Sequence, residues 1–470
     1  MSKNGTFRKP FRFKIGEAKF SFANALDFAA MTSNTEEVSP NNGVLFPPQS
    51  PLFYLRLSVY WFALSFLWAG LITIVIASMV ETFDKANKDL WLGVILAAGA
   101  LVSTIVSLWS GILSDRMDAR HRLARWGRRR PFIFIGTVLT IPILLLWPQV
   151  QNIAQLLIVF CLLQLFINIG ATPYQALVPD LVPKDKQGAA SAYMGMGSLL
   201  GQLGGLVLCG VLLQRRGGLT IVMVTIAAVL LLALGWTMWR VPEKAIHTPG
   251  AAALGKAPGI SPFQVLFGSL RSDMRDNRDF FLLIASRFVI NTGFYTATQF
   301  LLYYVTDTLR APNPQQTVVN LSLFSLVSGL IGNFPAGIYS DRFSKKLVIY
   351  ISATVTGFGA ILFVTTSSIP VAYFAAFFFG AGFGAFQAVD WAMATNLLPE
   401  RDEAKFMGIW HLAFTVPQVI APLIGGGVAY FFNAQFGGGF GYRVVLFLVV
   451  VYLFLGTLLI RPIREKMGRG

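Results

Sequence analysis

Twelve apolar stretches, at approximately 54–80, 90–113, 131–149, 153–178, 189–214, 218–240, 279–306, 316–339, 347–366, 369–396, 406–433 and 441–461, make up most of this 470-residue chain. Each is long enough to cross a hydrocarbon layer about 30 Å thick. At that depth no water reaches the backbone amides, so a crossing segment must close its own hydrogen bonds as an α-helix. Twelve such runs predict an all-α membrane protein. Composition agrees: 13% of residues are charged, against about a quarter in a soluble domain.

Orientation follows from the basic residues. Of 38 Lys and Arg, 31 fall in the N-terminal segment, the even-numbered loops and the C-terminal segment. Six lie in the odd-numbered loops (Lys85, Lys88, Arg215, Arg216, Arg310 and Arg443), and Arg287 lies inside the seventh stretch. Positive charge collects in cytoplasmic loops, so both termini and every even-numbered loop are expected there, with only the Arg215/Arg216 pair against the rule. The densest segment, SDRMDARHRLARWGRRRP (114–131), holds seven arginines and two carboxylates. A net charge of +16 would suit nucleic acid, but the cations sit in short loops with no aromatic-interleaved groove, so the expected partner is the bilayer. Cys161 and Cys209 both lie in apolar stretches, and neither a disulfide framework nor metal-ligand spacing is present. No cleavable signal peptide is visible, and the first helix is expected to serve as an uncleaved anchor.

The segments read as a cytoplasmic tail over 1–53, six helices over 54–240, a polar linker over 241–278, six more helices over 279–461, and a short tail over 462–470. Part of the first tail, 20–31, also fits a short amphipathic surface helix. The halves repeat each other. GILSDR (111–116), followed by GRRR at 127–130, is echoed by GIYSDR (337–342), followed by Lys345 and Lys346. LVPKDK (181–186) parallels LLPERD (397–402). Two similar halves of six helices in the same orientation are what a parallel-repeat transporter requires.

On these motifs the sequence resembles the major facilitator superfamily, over roughly 54–461. The run GRRRPFIFIG and the segment NIGATPYQALVPDLVP resemble its sucrose-transporter-like and glycoside-pentoside-hexuronide:cation symporter branches. The resemblance implies two six-helix bundles around a central site. It also implies a latch formed by Gly111, Asp115, Arg116, Gly127, Arg128 and Arg129, repeated at Gly337, Asp341 and Arg342, in which Asp115 pairs with nearby arginines and touches helix 11. The spacer between Asp115 and Gly127 is longer than the usual family version. From the residues alone, the arginines also serve as a topology determinant, and both readings stand.

A charge inside the membrane is costly unless paired or hydrated, so the few that occur are informative. Arg287 and Asp390 lie at equal depth, about 12 Å from the cytoplasmic border at 1.5 Å per residue. They are candidates for an ion pair, with His411 near them. Asp390 or His411 would titrate during a coupling cycle; a static pair joining two helices is the other reading. Amides and rings suited to a sugar-like ligand are Trp68, Gln164, Asn168, Tyr174, Gln175, Gln202, Asn291, Tyr295, Gln299, Gln387, Trp391, Trp410 and Gln418. Each alone also fits interhelical packing. Gly and Pro in helices 5 and 11 suit gating helices or plain close packing. The symporters that the chain resembles use acidic residues inside helices 2 or 4. Here helix 2 has only Asp89 at its outer border, and helix 4 has none before Asp180.

No phosphate-binding loop, nucleophile elbow or metal-ligand cluster occurs, so neither an enzyme nor a cofactor is expected. The sequence reads as a secondary transporter of a small organic solute, a saccharide or glycoside, in a bacterial inner membrane. Proton coupling and facilitated diffusion both remain open. The rival readings are a drug or lipid exporter and a non-transporting scaffold or assembly factor of the same fold.

Overall fold

The structure, a computed structural model, describes residues 47, 49–115, 117, 126–183, 186–243, 270–342, 344–397 and 403–463. The proposed tail helix over 20–31 and linker residues 244–269 lie outside them. Among the described residues, twelve helices are long and apolar enough to span a membrane. They are α1 (Pro51–Phe83), α2 (Lys88–Asp115), α3 (Arg130–Gln149), α4 (Ile153–Gln175), α5 (Gln187–Leu212) and α6 (Gly218–Arg240), then α7 (Arg278–Gln299), α8 (Pro314–Arg342), α9 (Lys345–Thr365), α10 (Ile369–Leu397), α11 (Glu403–Phe436) and α12 (Phe440–Ile460).

Local chemistry explains where helices begin and end. Ser50 accepts the amide of Phe53 at 3.2 Å, and Pro51 fills the first position, where its missing N–H costs nothing. Asn152 caps α4 through the amide of Gln155 at 2.9 Å. A π-helical turn, Leu71–Val75, interrupts α1. It coincides with the β-branched run 72–75, whose side chains crowd an α-helix. Two helices stop earlier than their apolar runs suggest. α4 ends at Gln175 and a short helix, Leu177–Leu181, follows; Pro179 has no N–H to give to the carbonyl of Gln175. α7 ends at Gln299, and the chain continues through Leu301–Tyr303 into a π-helical turn, Tyr304–Thr308.

Packing repeats with the sequence. α1 packs on α5 and α6, α3 on α4 and α6, and α2 on α4. Six helices later, α7 packs on α11 and α12, α9 on α10 and α12, and α8 on α10. The first six helices meet the last six mainly through α2 with α11 and α5 with α8, and more narrowly through α1 with α7 and with the Leu301–Tyr303 segment that follows it. The α2–α11 crossing depends on glycine. A Cβ at Gly93 would meet the carbonyl of Pro422, and one at Gly426 the carbonyl of Asp89. Without side chains there, the two backbones approach closely enough for dispersion to hold them, which is how helices associate where no hydrophobic effect operates.

This crossing lies at the end of the array away from the arginine-rich loop. Arg128–Arg130 and Asp180 mark the basic end; Glu81, Lys88 and Asp307 mark the opposite end. α2 is buried at Leu92, Gly93, Ile95, Leu96 and Ala97 but exposes Leu101, Ile105, Leu108, Trp109 and Leu113 as it runs toward the basic end.

Candidate functional site

In the last six helices, a guanidinium N–H of Arg287 on α7 donates to Asp390 on α10. The carboxylate is fully buried and Arg287 is 8% exposed. Two buried ions are stable only if their attraction and hydrogen bonds offset the desolvation of both. Here the compensation is incomplete: among the described residues, Arg287 Nε and Asp390 Oδ1 have no hydrogen-bond partner. The Trp410 ring of α11 covers the guanidinium, 4.1 Å from centroid to Cζ, adding a cation–π contact. One helical turn along α7, Asn291 donates to the carbonyl of Ala413 at 3.4 Å, but its Oδ1 is unpaired; Gln299 Oε1 is unpaired too. Tyr295 lies edge-on to Phe294 and Phe414. The arrangement therefore combines a carboxylate that can take up a proton with a guanidinium and amides that retain hydrogen-bonding capacity. His411 and Trp391 fall on α11 and α10, with side chains outside the described residues.

The first six helices use their polar residues differently. Asn168 donates to the carbonyl and side-chain oxygens of Gln164 at 2.8 and 3.0 Å, and Ser107 and Ser110 of α2 donate to Asn168. These groups join α2 to α4. Tyr174 is fully buried; its hydroxyl donates to the carbonyl of Leu57 and accepts the amide of Trp61 at 3.2 Å. Its donor and one of its two acceptor lone pairs tie α4 to α1. Gln175 is exposed at the end of α4, whereas Trp68 and Gln387 are half-buried. Gln202 donates to Ser198, which meets Ser65 of α1 at 2.9 Å, and the amide of Gln418 donates to Phe414 in its own helix.

At the basic end, Arg129 is 4% exposed and contacts Asp115 at 2.6 Å, Asp180 at 3.0 Å and Ser114 Oγ at 2.5 Å. Arg128 reaches both oxygens of Asp180 at 2.9 Å. A residue that the sequence reading left out completes the cluster. Glu243, just beyond α6, accepts the backbone amides of Arg128, Arg129 and Arg130 at 2.7–3.0 Å, capping α3. It also wraps Gly127, whose φ of +112° suits only glycine. Among the described residues, the partner of Asp115 is Arg129, in the same set of six helices. The α2–α11 crossing lies at the far end of α2, where glycines permit close approach. Gly111 sits near Thr172 of α4. Arg116 lies outside the described residues, and Gly337, Asp341 and Arg342 end α8, with the side chains of the latter two outside the description.

A second charge cluster, at the opposite end, was missed. Lys88, first residue of α2, contacts Glu81 of α1 at 2.6 Å and Asp307 beyond α7 at 2.7 Å. Its ammonium also lies 4.5 Å from the centre of the Tyr303 ring. Asp89 accepts from Asn433 of α11 at 2.9 Å and from the hydroxyl of Tyr442 of α12 at 2.5 Å. Tyr303 donates to the carbonyl of Ala77 at 3.0 Å. All of these except Lys88–Glu81 join the first six helices to the last six. The signal was visible in the adjacent charges at 88 and 89, but they were read only as border charges. No grouping of three potential metal ligands occurs among the described residues.

Known proteins share this architecture. The chain resembles, at a TM-score of 0.68, the solved structure of a bacterial homolog of the human lysosomal transporter Spinster in an inward-facing, unoccupied conformation; the match has 14% identity and covers 89% of this chain and all of the other. The nucleoside transporter NupG matches at 0.65 with 14% identity, covering 88% of this chain and 100% of its own. At this identity the likeness is one of fold. Among sequence relatives, a Na(+), Li(+), K(+)/H(+) antiporter of Planococcus maritimus is 24% identical over 39% of this chain and 42% of its own length. The multidrug resistance protein MdtG of Proteus mirabilis is 28% identical over 63% and 68%, and the general alpha-glucoside permease of Schizosaccharomyces pombe 25% identical over 38% and 35%. The chain thus spans under half of the antiporter and of the permease. The sequence model of one transporter family, described as MFS/sugar transport protein, matches residues 88–418, well over half the chain. Twelve spanning helices in a repeated packing order, joined at α2–α11 and α5–α8, and that match together make this chain a multi-pass membrane protein of the MFS/sugar transport protein family, whose members transport rather than catalyse.

Proposed function

We propose that the protein moves a saccharide or glycoside through a site beside Arg287 and Asp390, by alternating access coupled to a proton. The two working units are the helices of 54–240 and 279–461, and the basic end faces the cytoplasm of a bacterial inner membrane. One observation carries the reading: the Arg287–Asp390 pair is buried yet incompletely hydrogen-bonded. Protonating Asp390 removes its charge and frees the guanidinium to donate to a solute oxygen, so proton and solute binding become linked. The unpaired oxygen of Asn291, one turn along α7 from Arg287, supplies an acceptor for a sugar hydroxyl. The family description and the glucoside permease relative support the substrate class.

The MdtG relative favours a second reading, a drug exporter. That reading calls for an apolar site, whereas the groups around Arg287 are charged and amide-bearing.

Uptake into proteoliposomes separates the two. We expect accumulation of one saccharide class that rises with an inward-directed proton gradient, and loss of that gradient dependence in Asp390→Asn. Gradient-independent uptake would overturn proton coupling. No saccharide uptake together with extrusion of amphipathic drugs would overturn the substrate reading.

A further inference from the structure

At the basic end, α3 and α6 meet in a corner that the transport geometry leaves unused. Trp239 is 71% exposed and Trp126 55% exposed. The Arg240 guanidinium lies 3.7 Å from the centre of the Trp239 ring and 5.7 Å from that of Trp236; the two indoles meet edge-on at 6.4 Å. Trp126 meets Phe134 of α3 in the same way at 5.8 Å. Arg130 donates to the carbonyl of Val241, the residue after Arg240, which brings both cations to one corner.

Neither cation has a counter-ion among the described residues. The nearby carboxylates are committed elsewhere: Asp115 to Arg129, Asp180 to Arg128 and Arg129, and Glu243 to three backbone amides. The start of α3, which would otherwise attract an anion, is thus already filled. Nε of both Arg130 and Arg240 is buried without a partner. Toward the middle of the span, α6 exposes Leu232 (74%) and Leu231, an apolar strip that leads up to the two indoles.

Each feature has a plain explanation taken singly. Arg240 complements the carbonyl end of α6, and tryptophans collect at membrane interfaces in general. Neither supplies the side chains of Arg130 and Arg240 with an anionic partner among the described residues. A soluble anion would satisfy the cations and leave the indoles and the strip bare. A phospholipid satisfies all three.

We propose that the α3/α6 corner binds one anionic phospholipid. Its phosphate lies between Arg130 and Arg240, its ester region lies beside Trp126, Trp236 and Trp239, and its acyl chains run along the exposed strip of α6. Basic pockets between spanning helices hold anionic headgroups in this manner.

The test uses the full chain in detergent, titrated with phosphatidylglycerol, phosphatidylcholine or inorganic phosphate, with thermal unfolding and retention in native mass spectrometry as readouts. Phosphatidylglycerol should raise the unfolding midpoint more than phosphatidylcholine and be retained selectively. Arg240→Gln should weaken phosphatidylglycerol binding about fivefold, the ~1 kcal/mol of one basic side chain at an anionic surface, and leave the phosphatidylcholine response unchanged. Trp239→Leu keeps both charges and should shorten retention of the lipid at least twofold. The site is refuted by equal responses to the two lipids, by inorganic phosphate reproducing the full shift, or by variants that bind phosphatidylglycerol as the wild type does.

Discussion

At the basic end, Arg128 and Arg129 hold Asp115 and Asp180 within the first six helices; at the opposite end, Lys88 holds Glu81 of α1 and Asp307 beyond α7 at the same time. The first wiring stays inside one half and can persist in any conformation that moves the halves as units. The second joins the halves and exists only while that end is closed. Their settings differ as well. Asp115 is 60% exposed at its side chain, so water weakens its pairing. Lys88 is 7% exposed and its partners Glu81 and Asp307 are 24% and 29% exposed, so its contacts are screened less than Arg129–Asp115 and about as much as Arg129–Asp180; what sets this cluster apart is that it joins the two sets of helices. The charges that hold this conformation are therefore a handful at the quiet end rather than the many at the conspicuous one.

Lys88→Gln tests this most severely. It leaves Glu81 and Asp307 facing a neutral partner, and breaking a buried pair costs about 3–5 kcal/mol. Spin labels placed across α2 and α11 at the Lys88 end should show a longer distance in the variant, and an unchanged distribution would remove the cluster from any gating role. Tyr442→Phe takes one donor from Asp89, a hydrogen bond to a charged group that contributes about 1.5–3 kcal/mol. The same labels should report a smaller opening, with α1–α5 packing intact. Asp180→Asn takes the charged partner from Arg128 and one of two from Arg129, which keeps Asp115 and Ser114. Because Arg128 and Asp180 are each 30% exposed and Arg129 stays paired, a loss of only ~1 kcal/mol is expected. It should appear as a lower unfolding midpoint with no change in the distance at the Lys88 end; a change there would mean the two ends are wired together.

The smallest effect concerns Asp84, in the loop between α1 and α2. Hydrogen bonds from the side chain and backbone of Asn87, with a further one from Trp91, hold its carboxyl below the usual range. A carboxylate depressed by folding stabilises the fold above its unfolded value, and that contribution disappears as pH falls through the folded one. The unfolding midpoint of Asp84→Asn should thus lie below the wild type at neutral pH and converge with it in acid.

How much of this could be read in advance depends on which physical term decides each feature. The twelve spans were legible because the bilayer imposes length and apolarity on every crossing, whatever its neighbours. Arg287 and Asp390 could be matched because depth in a membrane follows from position along a helix. Tyr174 could not be judged, since whether a hydroxyl is free depends on the carbonyl of Leu57, 117 residues away. Glu243 escaped notice for the same reason: its three partners lie 113–115 residues earlier, across the helix array.

The sequence by itself determined that this chain is a twelve-helix membrane protein built from two related halves, because hydrophobic length and an internal echo are local properties of the chain. Only the tertiary structure decided which charges join the halves and which merely brace one of them. Basic residues are abundant at one end, but what a charge does depends on the distance and burial of its partner. At Lys88 one partner, Glu81, is close in the chain, while the other, Asp307, comes from the second half and reaches 2.7 Å only because two glycines let α2 and α11 close that end.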